Sequence, residues 1–446
     1  MNLNPLPVIL SAVGIYFLVK LRFFFILHPF RTLGKTYRAV KDSRALKSLT
    51  LALAGTLGVG NVFGVAVGII IGGAGSLFWL FVSMIFAMAI KYAEVVVSSD
   101  NLYHDGDSHG GMSYVIRRLF PVRGGAMSSL YALSVLCLSL FMGAALQCGT
   151  VAESVSAISD IPGEAVALLL VIMSFTAIIG GTSKIEKITA IISPMTTIIY
   201  IIATLSMIII NGEALPSAID NIFKSAFRPP SALGGVLGFL LSAPFHEGFS
   251  RGILSNEAGA GTSSMAHARS GILNPAQAGL VGIFEVWFDT GLICMLTGLA
   301  ILTSVPDVSG FRGGMELIMY AVGVNFGSVG KVTVMLCVLA FAFATVICWY
   351  YYGMESWAFA FGKRGRIAFL PLFLSFILLG GVMSTYFLIS VIDLLMAVVT
   401  VLTVAALIKS SDRIKTLSER GGVMKYNVRR LKGSVSRTEA SRRGKQ

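Results

Sequence analysis

The stretch GTLGVGNVFGVAVG, Gly55 to Gly68, decides how this chain folds. It is apolar enough for a membrane-spanning helix, yet it carries five glycines and one asparagine. The last three glycines follow at four-residue spacing, which lets helices pack closely. That spacing does not explain Gly55, Gly58 or Asn61. Unwound backbone at membrane depth is tolerated only where it lines a cavity. We therefore predict a spanning helix that breaks near its middle beside a cavity.

The composition is that of a protein that crosses a membrane many times. Of 446 residues, 55% are hydrophobic and 13% are charged, whereas about 25% are charged in an average soluble protein. Apolar runs of about 20 residues, the length that spans a bilayer as a helix, recur along the chain. We predict a single all-α, polytopic membrane domain. Its eleven predicted spans are 6–27, 49–71, 74–98, 126–149, 163–181, 186–210, 233–261, 275–304, 330–361, 366–382 and 384–408.

The connections between these spans alternate in charge. Those after spans 1, 3, 5 and 9 are basic, and the first of them carries six Lys or Arg against Asp42. The connections after spans 4 and 6 are acidic. Basic loops stay on the cytoplasmic side of a membrane. We therefore predict a multi-pass protein of the cell membrane with its N-terminus outside and its C-terminus in the cytoplasm, the arrangement that an odd number of spans requires.

The two ends of the chain allow other interpretations. The first apolar run lacks a basic segment before it and an A-x-A-like cleavage site, so we interpret it as a span and not as a signal peptide. The tail, 409–446, holds twelve Lys or Arg and three Asp or Glu, which is most of the net charge of +13. We interpret it as a partly disordered cytoplasmic tail beside anionic lipid, in preference to a segment that binds nucleic acid. The spacing of the five cysteines indicates neither disulfides nor a metal site.

A helix that breaks inside a membrane presents two kinds of free backbone group. The outer half, predicted to begin near Gly60, offers N–H groups and the positive end of a helix dipole, which attract an anion. The inner half, predicted to end near Leu57, offers carbonyl oxygens, which bind a cation. One segment of chain therefore offers sites for a carboxylate and for Na⁺.

A second interrupted segment is expected five spans later, because transporters with broken helices are commonly built from inverted repeats. Span 7 contains LSAPFHEGFSRGILSNEAGAG, 241–261. Pro244 removes a backbone donor and crowds the preceding turn, and polar or ionisable residues follow it. Such residues within a membrane span indicate a functional site. We predict repeats over 49–210 and 233–408, preceded by one extra helix over 6–27.

Several stretches of the chain resemble those of the alanine or glycine:cation symporter family. The most similar is SRGILSNEAGAGTSSMAHA, 250–268. Others, in chain order, are GVGN (58–61), KYAE (91–94), GGMSY (110–114), FDT (288–290), FAFAT (341–345) and WYYYG (349–353). This resemblance implies the fold of LeuT-type transporters, in which spans 2–6 and 7–11 form two inverted five-helix repeats. It also implies inward symport of alanine or glycine with Na⁺, without an organic cofactor.

The resemblance further implies where the substrate binds. The backbone of the first break is expected to hold the substrate carboxylate, and carbonyls over 242–245 to face the amino group. Gln147 either reaches the substrate or forms a hydrogen bond between helices. Phe245, Trp287 or Trp349 would limit the size of the substrate side chain. The candidate substrate-binding residues are Gly58, Val59, Gly60, Asn61, Gln147, Ser242, Pro244, Phe245, Glu247, Gly248, Trp287 and Trp349.

LeuT-type transporters commonly bind a cation between the first broken helix and the third span of the second repeat. The resemblance places this site at Ala54, Leu57, Phe341, Ala344 and Thr345. A second cation near the substrate is expected to use Thr56, Asn61, Asp289 and Thr290.

The chain departs from the family pattern at two places. The family commonly has serine where this chain has Ala344, so one hydroxyl ligand is missing. It also commonly has a basic and a neutral residue at His246 and Glu247. A carboxyl in a partly dry site titrates near neutral pH, which makes H⁺ coupling through Glu247, tuned by His246, the alternative to Na⁺ coupling. Against that alternative, Glu247 lies four residues before Arg251, the spacing of an ion pair on a helix.

Other ionisable residues fall within the predicted spans. Glu285 and Asp289 share one face of span 8 and would repel unless a cation or proton lies between them. Lys91 and Glu94 are interpreted as a structural pair. In the loop at 103–111, YHDGDSHGG, we expect a polar, glycine-rich connection.

Three other classes of protein are alternatives to a transporter. An enzyme is disfavoured because the sequence shows no catalytic triad, metal cluster or phosphate-binding loop. A channel is disfavoured because the polar residues cluster at mid-depth. A substrate sensor of the same fold that no longer transports stays open. The expected partners are the amino acid and the lipid bilayer, without nucleic acid; the sequence does not give the oligomeric state, and a single chain suffices for transport.

Overall fold

The computed structural model describes residues 5–101, 103–105, 107–227, 242–269, 274–362 and 366–424. Over these residues the regular structure is helical apart from one short β-hairpin. The helices are α1 (Leu6–Lys20), α2 (Phe24–Leu27), α3 (Pro29–Val40), α4 (Ser43–Thr56), α5 (Phe63–Gly72), α6 (Gly75–Asp100), α7 (Met112–Leu119), α8 (Gly124–Ser156), α9 (Gly163–Ile178), α10 (Gly181–Ile210), α11 (Leu215–Ala226), α12 (Ala243–Asn256), α13 (Ser264–Arg269), α14 (Pro275–Ser304), α15 (Gly314–Phe361), α16 (Arg366–Gly380), α17 (Thr385–Lys409) and α18 (Ser411–Arg420).

The helices confirm the predicted all-α membrane class. Six of those described are long and apolar enough to cross a bilayer, namely α6, α8, α10, α14, α15 and α17, and the bent pair α4 and α5 makes a seventh. Three shorter apolar helices, α1, α9 and α16, lie within predicted spans. The first part of predicted span 7, 233–241, lies outside the described residues. The total of eleven spans therefore stays a prediction.

Three spans differ from uniform α-helix in ways that the hydropathy pattern did not predict. α8 and α14 each contain a wider, π-helical segment, at Ser139–Leu146 and Trp287–Cys294. α15 is interrupted at Gly327, whose φ of 60° and ψ of −149° are not helical. Its longer, later part corresponds to the predicted span 330–361.

The first predicted span, 6–27, is not one helix. α1 ends at Lys20, and the next turn places Arg22 and Phe23 in the left-handed region, with φ of 57° and 50°. The chain then forms the short α2 and the amphipathic α3. Left-handed backbone cannot continue a right-handed helix, so the apolar run up to Leu27 bends at this point.

The predicted loop at 103–111 contains an antiparallel hairpin, β1 (Tyr103–Asp105) and β2 (Asp107–His109). This hairpin is the only β structure among the described residues.

The first part of the predicted disordered tail is folded. It forms α18, which is joined to the C-terminal ends of α1 and α6 by ionic contacts. Lys20 Nζ donates to Asp412 at 2.6 Å and lowers the pKa of that carboxyl, and Arg413 binds Asp100 through two contacts of 2.9 Å. Residues 425–446 of the tail lie outside the described residues.

The broken pair α4 and α5 lies at the centre of the fold. α4 packs against α10 and α15, whereas α5 packs against α12 and α15. α6 packs against α1, α12 and α14 on the other side of the broken pair. The break between α4 and α5 is therefore surrounded by protein, the condition under which irregular backbone is tolerated at membrane depth.

Candidate functional site

The structure contains the break predicted between Gly55 and Gly68. α4 ends at Thr56, a single 3₁₀ turn covers Val59–Asn61, and the two halves of the span differ in direction by 60°. The outer α-helix begins at Phe63, three residues later than predicted. The side chain of Asn61 accounts for the difference, because its Oδ1 accepts the N–H of Gly58 at 3.2 Å and closes the turn.

Oxygen atoms gather on the inner side of this break. Thr345 Oγ1 of α15 donates to Ala54 O at 3.0 Å and lies 3.5 Å from Leu57 O. Phe341 and Ala344 are buried on the same helix within one turn. Two carbonyls and one hydroxyl are hard oxygen ligands of the kind that bind an alkali cation. The structure thus brings together the oxygen donors predicted for the first cation site.

Gly58 lies between this cluster and Gln147. Gln147 Oε1 accepts the N–H of Val59 at 3.3 Å, and its Nε2 donates to Met142 O, in the π-helical segment of α8, at 3.1 Å. A Cβ on Gly58 would lie 2.8 Å from Thr345 Oγ1 and 3.1 Å from Gln147 Oε1. Only glycine fits there without displacing one of these side chains. Gln147 therefore contacts the backbone of the break directly.

A second polar cluster surrounds the fully buried carboxylate of Asp289. Asn61 Nδ2 donates to Asp289 Oδ1 at 2.7 Å, while Ser255 Oγ and Thr290 Oγ1 donate to Oδ2 at 2.5 and 2.9 Å. Among the described residues, no Lys, Arg or His lies within ion-pair distance of Asp289. Neutral donors satisfy the oxygens without balancing the charge, so this site favours a cation. Three of the four predicted residues of the second cation site meet here.

The fourth predicted residue, Thr56, is buried at the end of α4, where its hydroxyl donates to Ala52 O at 3.3 Å. This contact of Thr56 is therefore within its own helix. Cys294 Sγ lies 3.4 Å from Asn61 Nδ2 and 3.2 Å from Ser255 Oγ at the edge of the Asp289 cluster.

The second break in the fold follows α12. Glu257 adopts a left-handed φ of 55°, and the chain becomes helical again at Ser264. The carboxylate of Glu94 on α6 accepts the N–H groups of Gly259 and Gly261 at 2.7 and 3.2 Å. This break faces the first one, because a Cβ on Gly60 would lie 3.7 Å from Ser255 Cα.

Sequence comparison identifies the family of this chain. The sequence model of the Sodium:alanine symporter family matches residues 2–427. The chain belongs to this family. It is therefore a membrane transporter and not an enzyme.

Individual members of the symporter family support the same conclusion. The chain is 30% identical over 341 residues to the Sodium/alanine symporter AgcS of Methanococcus maripaludis, covering 74% of each chain. It is 29% identical over 365 residues to the Sodium/proton-dependent alanine carrier protein of Bacillus sp. strain PS3, covering 78% and 79%. The structure resembles that of MhsT in complex with L-phenylalanine, with a TM-score of 0.57, 13% identity and coverage of 84% and 98%. At that identity the likeness shows the fold alone, which is of the LeuT type.

Not every predicted substrate residue of this symporter-family member lies at the break. Ser242 and Pro244 begin α12, where proline is tolerated in the first turn. Ser255 follows Ser242 by thirteen residues, or about 20 Å of helix. Pro244 therefore lies in the first turn of α12, and residues 228–241 before it lie outside the described residues. The break that meets Val59–Asn61 lies at the opposite end of α12.

The other residues predicted near Pro244 have structural contacts in this part of α12. Phe245 packs between Trp79 and Phe249, with ring centroids 5.3 and 4.7 Å apart. Gly248 permits close packing, because a Cβ there would lie 2.4 Å from a backbone oxygen of α6. Glu247 Oε2 accepts from Arg251 Nη2 at 2.9 Å, the ion pair that the sequence spacing suggested.

The two tryptophans predicted near the pocket differ in position. Trp287 is 45% exposed and stacks beside Phe284, so its side chain faces away from the break. Trp349 is fully buried, and its Nε1 donates to Gly55 O at 3.3 Å. Trp349 therefore lies against the inner half of the broken helix.

The predicted pairing of the membrane acids needs correction. Lys91 Nζ donates to Ser263 Oγ at 2.8 Å and lies 3.5 Å from Glu285, which His267 also contacts at 2.8 Å. Glu94 binds the backbone of the second break instead of pairing with Lys91. Glu285 and Asp289 share a helix face, as predicted, but each has its own set of partners.

Sequence reasoning did not assign Ser255 or Asn256 to the site. Ser255 binds Asp289, and Asn256 Nδ2 donates to Thr290 Oγ1 at 3.1 Å. Both residues belong to the SNEAGAG stretch, which contains two closely spaced glycines. These glycines are the sequence feature that could have predicted a break at this position.

Proposed function

We propose that this protein imports a small neutral amino acid, alanine or glycine, together with Na⁺ by alternating access. The contact of Thr345 with the carbonyls of Ala54 and Leu57 carries the proposal. It joins a hydroxyl of the second predicted repeat to the free end of the broken helix in the first. A cation held by these oxygens would link the two repeats, whose relative movement opens and closes LeuT-type transporters.

The proposed Na⁺ site consists of Ala54 O, Leu57 O and Thr345 Oγ1. Phe341, one turn before Thr345 on α15, lies beside it. Thr345 now shares one proton between two carbonyl oxygens. Na⁺ would attract all three oxygens, and the hydroxyl proton would turn away. Ala344 contributes no hydroxyl, so we expect carbonyl oxygen or water to complete the coordination.

The proposed substrate site lies between the two breaks. The substrate carboxylate would face the N–H of Gly60 and the start of α5, because the N-terminus of a helix attracts anions. The N–H groups of Gly58 and Val59 already bind Asn61 and Gln147. The substrate ammonium group, or a second Na⁺, would face the negative cluster around Asp289. Gln147 and Trp349 would bound the site from α8 and α15 and restrict it to a small side chain.

Coupling to H⁺ through Glu247 is the alternative function. The name of the Bacillus relative, a Sodium/proton-dependent alanine carrier protein, favours retaining this alternative. The contact of Glu247 with Arg251 at 2.9 Å opposes it, because the carboxylate already has a partner within its own helix. We therefore favour Na⁺ as the coupling ion.

The proposed orientation follows the positive-inside rule, with the N-terminus outside and the C-terminus in the cytoplasm. The proposed inverted repeats extend over 49–210 and 233–408, and the breaks at 57–62 and 257–263 would be their corresponding elements. Both breaks contain two glycines separated by one residue, Gly58 and Gly60 in the first and Gly259 and Gly261 in the second. This correspondence supports the repeat assignment.

The test is alanine and glycine uptake into proteoliposomes under an inward Na⁺ gradient or an inward H⁺ gradient, each imposed alone. We expect uptake with Na⁺ that survives Glu247→Gln and is lost at physiological Na⁺ in Thr345→Ala. Thr333→Ala is the matched control and should transport normally, because Thr333 lies on the same helix and its hydroxyl binds only Val329 O of that helix. Uptake that follows H⁺ and disappears in Glu247→Gln would establish the alternative, and substrate binding without uptake would indicate a sensor.

A further inference from the structure

A basic cavity lies between the end of α1 and the end of α18, away from the proposed transport site. Its volume is about 140 Å³. None of the described residues that line it is acidic. Its basic lining residues are Arg22, His28, Arg31 and Lys35.

The charges around this cavity are crowded. Lys35 Nζ donates to the carbonyl oxygens of Gly422 and Val423, which fixes the ammonium group at the cavity wall. Burial, and next the neighbouring Arg31 guanidinium, lower the pKa of Lys35. Like charges held together in a partly buried cavity favour the entry of an anion.

One carboxylate of the chain lies near this cavity. Glu419 Oε1 of α18 is 4.0 Å from Arg22 Nη2. Among the described residues, no acidic side chain lies within ion-pair distance of Arg31 or Lys35. A single carboxylate at 4.0 Å does not balance this cluster of basic side chains, so the cavity favours an anion from outside the chain.

The backbone at the cavity adds an independent indication of a ligand site. Arg22 and Phe23 both adopt left-handed φ values, 57° and 50°, although neither is glycine. Such backbone costs energy and is concentrated at ligand-binding and functional positions. Arg22 is itself a cavity-lining residue, so the unfavourable turn lies directly at the site.

Helix α3, which contributes half of the basic lining, has the pattern of a helix that lies in a membrane interface. Its buried face, with Thr32 and Thr36, packs against α14 and α4. Its apolar side chains Phe30, Leu33 and Tyr37 are exposed, with Phe30 at 88%. Apolar and basic residues on separate faces of one helix are typical of interfacial binding. The cavity therefore opens beside a helix suited to contact lipid.

We propose that this cavity binds the phosphate group of an anionic phospholipid in the leaflet that α3 contacts. Arginine guanidinium groups bind phosphate oxygens through paired hydrogen bonds. Arg31 lines the wall, and so does Arg22, whose guanidinium lies 4.0 Å from Glu419. A cavity of about 150 Å³ accommodates benzene, so the space here suffices for a phosphate. The acyl chains of the lipid would lie along Phe30, Leu33 and Tyr37.

The test uses the full-length purified protein in detergent and measures bound lipid by native mass spectrometry. The probes are phosphatidylglycerol, phosphatidylcholine and inorganic phosphate at equal phosphate concentration. We expect the protein to retain phosphatidylglycerol in preference to phosphatidylcholine. Arg31→Gln should weaken that binding about fivefold, as expected for one basic residue at an anionic lipid surface.

Arg38→Gln is the matched control, because Arg38 is also an exposed arginine on α3 but does not line the cavity. It should leave phosphatidylglycerol binding unchanged. Thermal unfolding without lipid checks that both variants are folded, and in wild type the same assay should show a higher midpoint with phosphatidylglycerol. Equal losses in Arg31→Gln and Arg38→Gln would overturn the proposal. Equal occupancy or stabilisation by inorganic phosphate or phosphatidylcholine would also overturn it.

Discussion

Replacing Gly58 with alanine tests whether Thr345 is a ligand of the coupling ion. The new Cβ would lie 2.8 Å from Thr345 Oγ1, whereas ordinary contact begins near 3.4 Å. To remove this overlap, the Thr345 hydroxyl must move by about 0.6 Å. The new methyl group cannot move away instead, because its Cβ is also 3.1 Å from Gln147 Oε1. Without Na⁺, Thr345 can rotate away from the methyl group. With Na⁺ bound, the Thr345 hydroxyl must keep its position as a ligand. The steric overlap with the new methyl group therefore weakens Na⁺ binding.

Overpacking of this kind typically costs about 1–3 kcal/mol. If that cost falls on the ion-bound state, the half-saturating Na⁺ concentration rises roughly 5- to 150-fold. The assay is the initial rate of alanine uptake into proteoliposomes, titrated with Na⁺ at saturating alanine. Thermal unfolding in the absence of Na⁺ shows whether the variant is folded.

Gly64→Ala is the matched control. It lies on α5 of the same broken span, but the nearest atoms to its new Cβ would be 4.0 Å away. We expect normal Na⁺ dependence there. In the Gly58→Ala background, Thr345→Ser should restore part of the Na⁺ affinity, because it removes the methyl group that lies 3.3 Å from the new Cβ. An unchanged Na⁺ titration in folded Gly58→Ala would refute the assignment of Thr345.

Three further outcomes follow from the site. Ala344→Ser adds a hydroxyl beside Thr345, so it should lower the half-saturating Na⁺ concentration in the same titration; a higher value would place residue 344 away from the ion. Glu247→Gln should retain Na⁺-driven uptake but lower the thermal unfolding midpoint, because a buried Arg251 loses its partner at a cost of about 1–3 kcal/mol. Asp289→Asn keeps the shape of the side chain and removes its charge, so alanine binding measured by calorimetry should weaken at least tenfold, the effect of about 1.4 kcal/mol; unchanged affinity would exclude Asp289 from cation binding.

The position of the first break was predictable because its signal is local. Closely spaced glycines weaken helix over a few residues, whatever surrounds them. The exact start of the outer helix was not predictable, because it depends on the side chain of Asn61 closing onto Gly58. That contact competes with helix, and its outcome is set by tertiary neighbours such as Asp289.

The second break was expected in the correct span but at the wrong end of the helix that the structure describes. Pro244 has two meanings in a sequence, since proline interrupts a helix from within and also favours its first turn. The structure selects the second meaning. Gly259 and Gly261, with φ of 92° and 71°, mark the break after α12. A glycine that must adopt positive φ was thus a better signal here than proline.

The partners of the buried acids could not be predicted from helix periodicity. Periodicity shows that Glu285 and Asp289 lie on one face of α14, but it does not show which helices cover that face. In the fold, α6 brings Lys91 to Glu285, whereas the first break and α12 bring Asn61 and Ser255 to Asp289. Glu285 and Asp289 therefore each interact with their own neighbours, which offsets the repulsion expected between the two carboxylates.

In the proposed mechanism, the arrangement of the two clusters would let an ion and a substrate influence each other without sharing a ligand. The carbonyls that face Thr345 belong to the last turn before the break, and Asn61, which contacts Asp289, belongs to the turn after it. Asn61 also holds Gly58 through its Oδ1, so four consecutive residues connect the clusters. An ion that fixes Leu57 restricts the turn that would bind the substrate carboxylate. By linkage, substrate must then raise Na⁺ affinity by the same factor that Na⁺ raises substrate affinity. Asn61→Ala should reduce the factor by which Na⁺ and substrate raise each other's affinity. It should have a smaller effect on the affinity for Na⁺ measured without substrate, or for substrate measured without Na⁺.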